Sequence, residues 1–114
     1  MITVTLQRCP NGYIRRFTAA GHSGYGRRGA DIICAAVSAI AQTTIGSLQD
    51  LAALTPEYRL EDGLIECLTP DPEDMAPEQY KIARTLVDAF ALGCLQIQQS
   101  YGTTYVKVKE AIFT

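Results

Sequence analysis

The sequence predicts an α+β fold in the order β-β-α-β-β-α-β, a mainly antiparallel or mixed sheet with two long helices packed on it. Three observations predict it. Short runs that alternate apolar and polar residues lie near both ends, at Ile2–Gln7 and Thr104–Lys109. Two longer stretches, Ile32 to about Leu54 and Pro77 to about Tyr101, carry apolar residues at helical steps. The remaining strand-like runs are joined by turn-forming residues, as hairpins require. With 114 residues and neither an internal repeat nor a low-complexity segment, the chain reads as a single domain, 1–114.

Each element has a local reason. Ile2-Thr3-Val4-Thr5-Leu6-Gln7 alternates as a half-buried strand does, Pro10-Asn11-Gly12 is turn chemistry, and Tyr13 to Ala20 is the returning strand. Asp31 is a good N-cap for the first helix, whose stripe is Ile33, Val37, Ile40, Ala41, Ile45, Leu48 and Ala52. After Pro56, Tyr58–Leu60 and Leu64–Leu68 form a second hairpin across Asp62-Gly63. The proline-rich, acidic stretch from Thr69 leads to Pro77 in the first turn of the second helix, and Gly102 stops it. Its core stripe is Ala83, Leu86, Val87, Phe90, Cys94 and Ile97. Ala89 to Leu95 carries no polar side chain, and a helix apolar all round is buried on two sides, so a homodimer packed through this helix is expected. The last strand turns Val106 and Val108 inward and its lysines outward, as on a protected edge.

Composition excludes several classes. A net charge of −2 gives no overall signal for nucleic-acid binding, and none is expected. Arg15, Arg16, Arg27 and Arg28 lie close in sequence to the glycine-rich stretch, and Asp71, Glu73, Asp74 and Glu78 crowd one loop. Both groups read first as solvated faces, the basic one second as a rim that helps hold a substrate or approach a larger particle. Cysteines at 9, 34, 67 and 94 show no CxxC pair and no Cys/His metal spacing, so no metal and no cofactor are expected. No charged-then-apolar leader and no run of 18 apolar residues is present, so neither a signal peptide nor a membrane association is expected. Free thiols in a reducing cytoplasm are the corresponding expectation.

The chemistry concentrates between Gly21 and Cys34. This stretch holds the only histidine, His22, then a loop with Gly21, Gly24, Gly26 and Gly29, then Asp31 and Cys34. Cys34 falls in the first turn of the helix, where the dipole favours a charged sulfur. His22 can fold back across the flexible loop to act as its base, which makes a candidate cysteine nucleophile. Ser38 is one turn further along the same face, where its hydroxyl can steady the Cys34 turn by bonding the Cys34 carbonyl. Ile-Ile-Cys-Ala-Ala-Val also fits plain core packing, with His22 bonding a loop carbonyl. Gly24-Tyr25-Gly26-Arg27-Arg28-Gly29 matches G-x-G-x-x-G, the signature of a nucleotide-binding turn. A hairpin strand carrying Arg15 and Arg16, and the lack of a second strand ending in an acid about 20 residues on, argue against that reading.

Gly21-His22-Ser23, the glycine loop, and Gly29-x-Asp31-Ile32-Ile33-Cys34-Ala35-Ala36-Val37-Ser38-Ala39 resemble the signature of the Prp family of bacterial ribosomal-processing cysteine proteases. Chain length, element order and the closing Tyr101-Gly102…Tyr105-Val106-Lys107-Val108 segment extend the resemblance over nearly the whole chain. It implies a cytoplasmic endopeptidase that removes a short N-terminal extension, with paired phenylalanines near the cut, from a large-subunit ribosomal protein, the twenty-seventh of its series. It also implies that His22 and Cys34 are the catalytic pair. Two departures from the family pattern are Ser23, where alanine is usual, and the Arg27-Arg28 pair in the loop. The alternative is a non-catalytic ribosome-associated binding protein that uses the basic glycine-rich loop. No residue orienting His22 is assigned, although Asp31 is available, and the first amides of the Cys34 helix are the candidate oxyanion donors.

Overall fold

The computed structural model describes residues 1–114. Strand β1 (Ile2–Arg8) turns at Pro10–Gly12 into β2 (Ile14–Ala20), and the glycine loop then leads into helix α1 (Ile32–Asp50). A hairpin of β3 (Glu57–Glu61) and β4 (Leu64–Leu68) follows, then a 3₁₀ turn at Pro72–Asp74, helix α2 (Pro77–Tyr101) and β5 (Val106–Ile112). The expected order is therefore observed, in one mixed sheet of strand order β3-β4-β2-β1-β5. Three of its four pairings are antiparallel, and β5 lies parallel to β1 with Val106 opposite Ile2.

Alternation decides which face is covered. Ile2, Val4 and Leu6 of β1, Phe17 and Ala19 of β2, Cys67 of β4 and Val106 of β5 are buried beneath the helices. Helix α1 contributes Ile33, Val37, Ala41, Ile45 and Leu48, and α2 contributes Ala83, Val87, Phe90, Ala91 and Cys94, to the same core. Phe17 and Phe90 stack with ring centroids 4.4 Å apart, joining sheet and helix at the centre. By length and composition α1 could cross a bilayer. Its buried stripe packs on the sheet, which is how a core helix behaves.

The helix ends follow local chemistry except one. Pro77 opens α2, Gln79 accepts the Ala76 N–H at 2.9 Å, and Gly102 closes the helix with φ +96°. Helix α1 stops at Asp50 rather than near Leu54. Ala52 and Leu54 remain buried, so the apolar rhythm outlasts the helix, while Ala53 turns to φ +53°. The Gln79 side-chain amide bonds the Ala52 and Ala53 carbonyls at 3.1 and 3.2 Å, satisfying this turn from α2 instead.

Topology brings five chain segments to one end of the sheet. The Gly21 N–H bonds the Gly63 carbonyl and the Ile2 N–H bonds the Tyr105 carbonyl, each at 2.8 Å. The end of β2 thus meets the starts of β1, β4, β5 and α1. Truncation at the centre of the core should show how much of the fold rests there. Phe90→Ala is expected to lose about 3–5 kcal/mol of stability, read as a shifted urea midpoint.

Candidate active site

Asp31 builds the site. One carboxylate oxygen accepts the Ile33 and Cys34 N–H groups at 2.9 and 3.0 Å, capping α1. The other accepts the Ser23 hydroxyl at 2.5 Å and the Gly26 N–H at 3.1 Å, tying the glycine loop to the helix. Burial alone pushes the Asp31 pKa up. Hydrogen bonds from the Ser23 hydroxyl and from the Cys34, Gly26 and Ile33 amides outweigh it and hold the carboxyl well below the usual range.

The cap fixes Cys34 in the first turn, half-buried, where its sulfur accepts the Ser23 N–H at 3.3 Å. Ser23 therefore has three roles: amide donor to sulfur, hydroxyl donor to Asp31, and acceptor for the Tyr25 N–H at 3.1 Å. The departure from alanine at this position adds the last two.

His22 leaves the end of β2 with its side chain 41% exposed. Its imidazole lies over the turn between β3 and β4, where a Cβ on Gly63 would stand 3.1 Å from Nε2. With φ +75° as well, residue 63 needs to be glycine on both counts. The Asp62 carboxylate approaches Nε2 at 3.8 Å and is also ion-paired with Arg28.

His22 and Cys34 line a common cleft of about 390 Å³ together with Gly24, Gly26, Gly29, Asp31, Ser38 and Asp62. They also line an adjoining recess of about 220 Å³, to which Ile2, Ala19, Val37, Leu64 and Ile65 contribute apolar surface. The candidate pair thus stands where a glycine-lined trench meets a recess with one apolar wall. The loop over the trench is pinned at its tip, since the Tyr25 ring meets Tyr101 and Tyr105 edge-on at 5.6 and 5.2 Å.

Burial sorts the four thiols, all of which are free. It pushes Cys67 and Cys94 up to about 12, far from a reactive thiolate at neutral pH. Cys9 lies just beyond β1, at the opposite end of the sheet. Only Cys34 shares a cleft with a histidine.

Several expectations need correction. Asp31 is not the group beside His22, because its carboxylate is committed to helix and loop. Of the first amides of α1, those of Ile33, Cys34 and Ala35 are taken by Asp31, at 2.9, 3.0 and 3.0 Å, which leaves only that of Ile32 open as an oxyanion donor. Ser38 lines the cleft, but its hydroxyl accepts from the Gln42 amide at 2.8 Å instead of bonding the Cys34 carbonyl. Gly21 lies outside the trench, at the adjoining recess, where a Cβ would come within 2.5 Å of the Met1 carbonyl. Arg15 and Arg16 are far from the site, because about 20 Å of β2 separates them from His22. They flank the Phe113 ring at 5.0 and 5.5 Å, and Arg15 pairs with Asp71 at 3.7 Å.

Asp62 and Gly63 are what local patterns missed. Asp-Gly reads as turn chemistry and nothing more. Only the β2–β4 pairing, with Ala20 opposite Leu64, brings that turn beside the histidine.

Comparison with known proteins gives a consistent result. The family model for the cysteine protease Prp matches residues 1–107. The ribosomal processing cysteine protease Prp of Bacillus subtilis (strain 168) is 25% identical over 101 residues, 89% of this chain and 90% of that protein. Among solved structures, SMU.848 from Streptococcus mutans superposes with a TM-score of 0.79 at 27% identity, covering 99% of this chain and 96% of that one. The essential ribosomal processing protease Prp from S. aureus, in complex with a covalently linked product peptide, has a TM-score of 0.82 at 21% identity, covering 96% and 99%.

The Asp31 network sets a pH dependence. Its folded pKa lies below the unfolded value of about 3.9, so its stabilisation is complete above that pH and is lost as pH falls through the folded value. Asp31→Asn presents an N–H₂ donor to the Ser23 and Gly26 donors. It is expected to lower stability by about 1–3 kcal/mol at neutral pH, with the gap to the parent protein narrowing below about pH 4 in urea titrations.

Proposed function

The chain belongs to the Prp family of cysteine proteases, and from that premise we propose that Cys34 is the nucleophile and His22 its acid–base partner in cutting the N-terminal extension from a large-subunit ribosomal protein, the twenty-seventh of the series. One observation carries the assignment. The only histidine and Cys34, the one thiol that shares a cleft with it, line the same two adjoining recesses at the start of a capped helix.

The chemistry follows from the geometry. His22 takes the thiol proton, and the Cys34 sulfur attacks the scissile carbonyl to form a tetrahedral adduct. His22 then passes the proton to the leaving amine, which departs as the new N-terminus of the ribosomal protein. Water, deprotonated by the same imidazole, hydrolyses the thioester and frees the extension. An N–H held against Sγ by Ser23 is an interaction that strengthens as the sulfur gains charge. The Gly24 and Gly29 amides have no partner within the protein and belong to cleft-lining residues, which makes them the oxyanion donors of this proposal. The apolar wall of the recess of about 220 Å³, formed by Ile2, Ala19, Val37, Leu64 and Ile65, suits a large apolar side chain such as the phenylalanines the family resemblance implies.

The same reading makes the protein a cytoplasmic homodimer that binds no nucleic acid directly. Free thiols suit a reducing compartment. On one protomer Leu92 is 58% and Leu95 37% exposed. Alongside them α1 carries no charged side chain before Asp50, a surface composition that favours association.

Two experiments test this. Incubated with the ribosomal protein bearing its native extension, the enzyme should yield one internal cut by mass analysis. Cys34→Ala should leave the substrate intact while still binding it, and His22→Ala should slow cleavage by about 10²–10⁴-fold. Cleavage persisting in Cys34→Ala refutes the assignment. In analytical ultracentrifugation at micromolar concentration the parent chain should sediment as a dimer and Leu92→Asp as a monomer; a monomeric parent refutes the dimer.

A further inference from the structure

We propose that Asp62 is a positioning residue for His22 and that Arg28 competes for it, so that one carboxylate couples the position of the glycine loop to the state of the histidine. This rests on His22 being the acid–base group.

Asp62 sits at the tip of the β3–β4 hairpin with two oxygens and two cationic partners. Oδ2 is ion-paired with the Arg28 guanidinium, which reaches across from the glycine loop. Oδ1 lies 3.8 Å from His22 Nε2, near enough for charge attraction but too far for a hydrogen bond. The ring can rest on this turn because Gly63 beneath it has no side chain, and a Cβ there would stand 3.1 Å from Nε2. One two-residue turn therefore supplies both the surface on which the ring rests and the charge that faces it.

No other group does this. The charged and titratable groups around His22 are Arg28 from the loop, Asp31 and Cys34 from the start of α1, Glu61 and Asp62 from the hairpin, and the Met1 amino group, which donates to the His22 carbonyl. Asp31 is engaged by four donors. Glu61 lines the recess but makes no ion pair with the ring. Among the carboxylates only Asp62 is paired with His22.

Competition follows from exposure. Arg28 is 67% and Asp62 73% exposed, so water screens the pair and neither partner holds the carboxylate permanently. While Arg28 is docked, its charge offsets that of Asp62 and the histidine gains little. A peptide entering the cleft must displace the loop side that Arg28 occupies. The guanidinium then withdraws and Asp62 is left to the imidazole, favouring its protonated form at the stage when a leaving amine needs a proton. The loop thereby controls a charge as well as an entrance.

The single histidine makes the test direct, since its imidazole gives one assignable set of NMR signals. Titrations are run on the full chain carrying Cys34→Ala, so that no thiol titrates beside the ring. Asp62→Asn keeps a good turn-forming residue before Gly63; it is expected to move the His22 midpoint little while Arg28 is present, and to lower it by about half a pH unit in the Arg28→Gln background. Arg28→Gln is expected to raise it by about as much, and to have less than about a third of that effect once Asp62→Asn is present. A midpoint that Asp62→Asn leaves unmoved in the Arg28→Gln background overturns the positioning role. Equal effects of Arg28→Gln in both backgrounds overturn the competition, since Arg28 would then act on the ring directly. With Cys34 intact and a synthetic peptide of the ribosomal extension as probe, Asp62→Asn should lower kcat about 3–10-fold with KM little changed, and Asp62→Glu should restore part of it. If the parent enzyme leaves that peptide uncut while the titrations behave as stated, the proteolytic assignment falls and the Asp62 coupling stands.

Discussion

A single carboxylate holds the cleft end of this protein together. Asp31 satisfies the open amides of α1 with one oxygen and gathers the glycine loop with the other. A cap residue normally finishes a helix and does no more. Here the same side chain sets where the loop re-enters the fold, and so sets the distance between the Ser23 amide and the Cys34 sulfur. Buried charge is tolerated because four donors replace the water it has lost. Nothing else in the cleft is so fully bonded, so the root of the loop is fixed by charged hydrogen bonds while its tip rests on ring contacts of Tyr25 alone.

Around that root the site is assembled from pieces far apart in sequence. His22 comes from the end of a strand, Cys34 from the start of a helix, and Asp62 and Gly63 from a hairpin turn. Each piece is delivered by a regular element, and only the delivery points are irregular. Such a division suits an enzyme whose loop must yield to an extended peptide while its reacting groups stay in register. The family membership fits this arrangement, since the cleft is a trench open at the surface rather than an enclosed chamber.

Much of this was legible in the sequence, and the reasons are local. Alternation gave the strands, the Asp31 cap and the proline at residue 77 gave the helix starts, and Gly102 gave a helix end. The motif from Gly21 to Cys34 directed attention to the residues that do share a cleft. What the sequence could not carry was pairing between distant strands. The β2–β4 ladder places Asp62 beside His22, and no pattern within either segment announces it. Nearness in sequence misled for Arg15 and Arg16, because an extended strand carries neighbours apart quickly. Burial rhythm misled at the end of α1, because Ala52 and Leu54 stay in the core after the backbone has left the helix.

The parallel ladder between β1 and β5 has a kinetic consequence. It joins residue 2 to residue 106, and Arg8 clasps Glu110 across it at 2.7 Å. Bringing such remote segments together is entropically slow, and it falls late in assembly. On a translating ribosome, β1 acquires its second neighbour only after β5 has emerged, about a hundred residues behind it. The start of that ladder lies against the cleft, where the Tyr105 carbonyl receives the Ile2 amide. A nascent chain therefore completes this wall of the cleft well after His22 and Cys34 have left the ribosome.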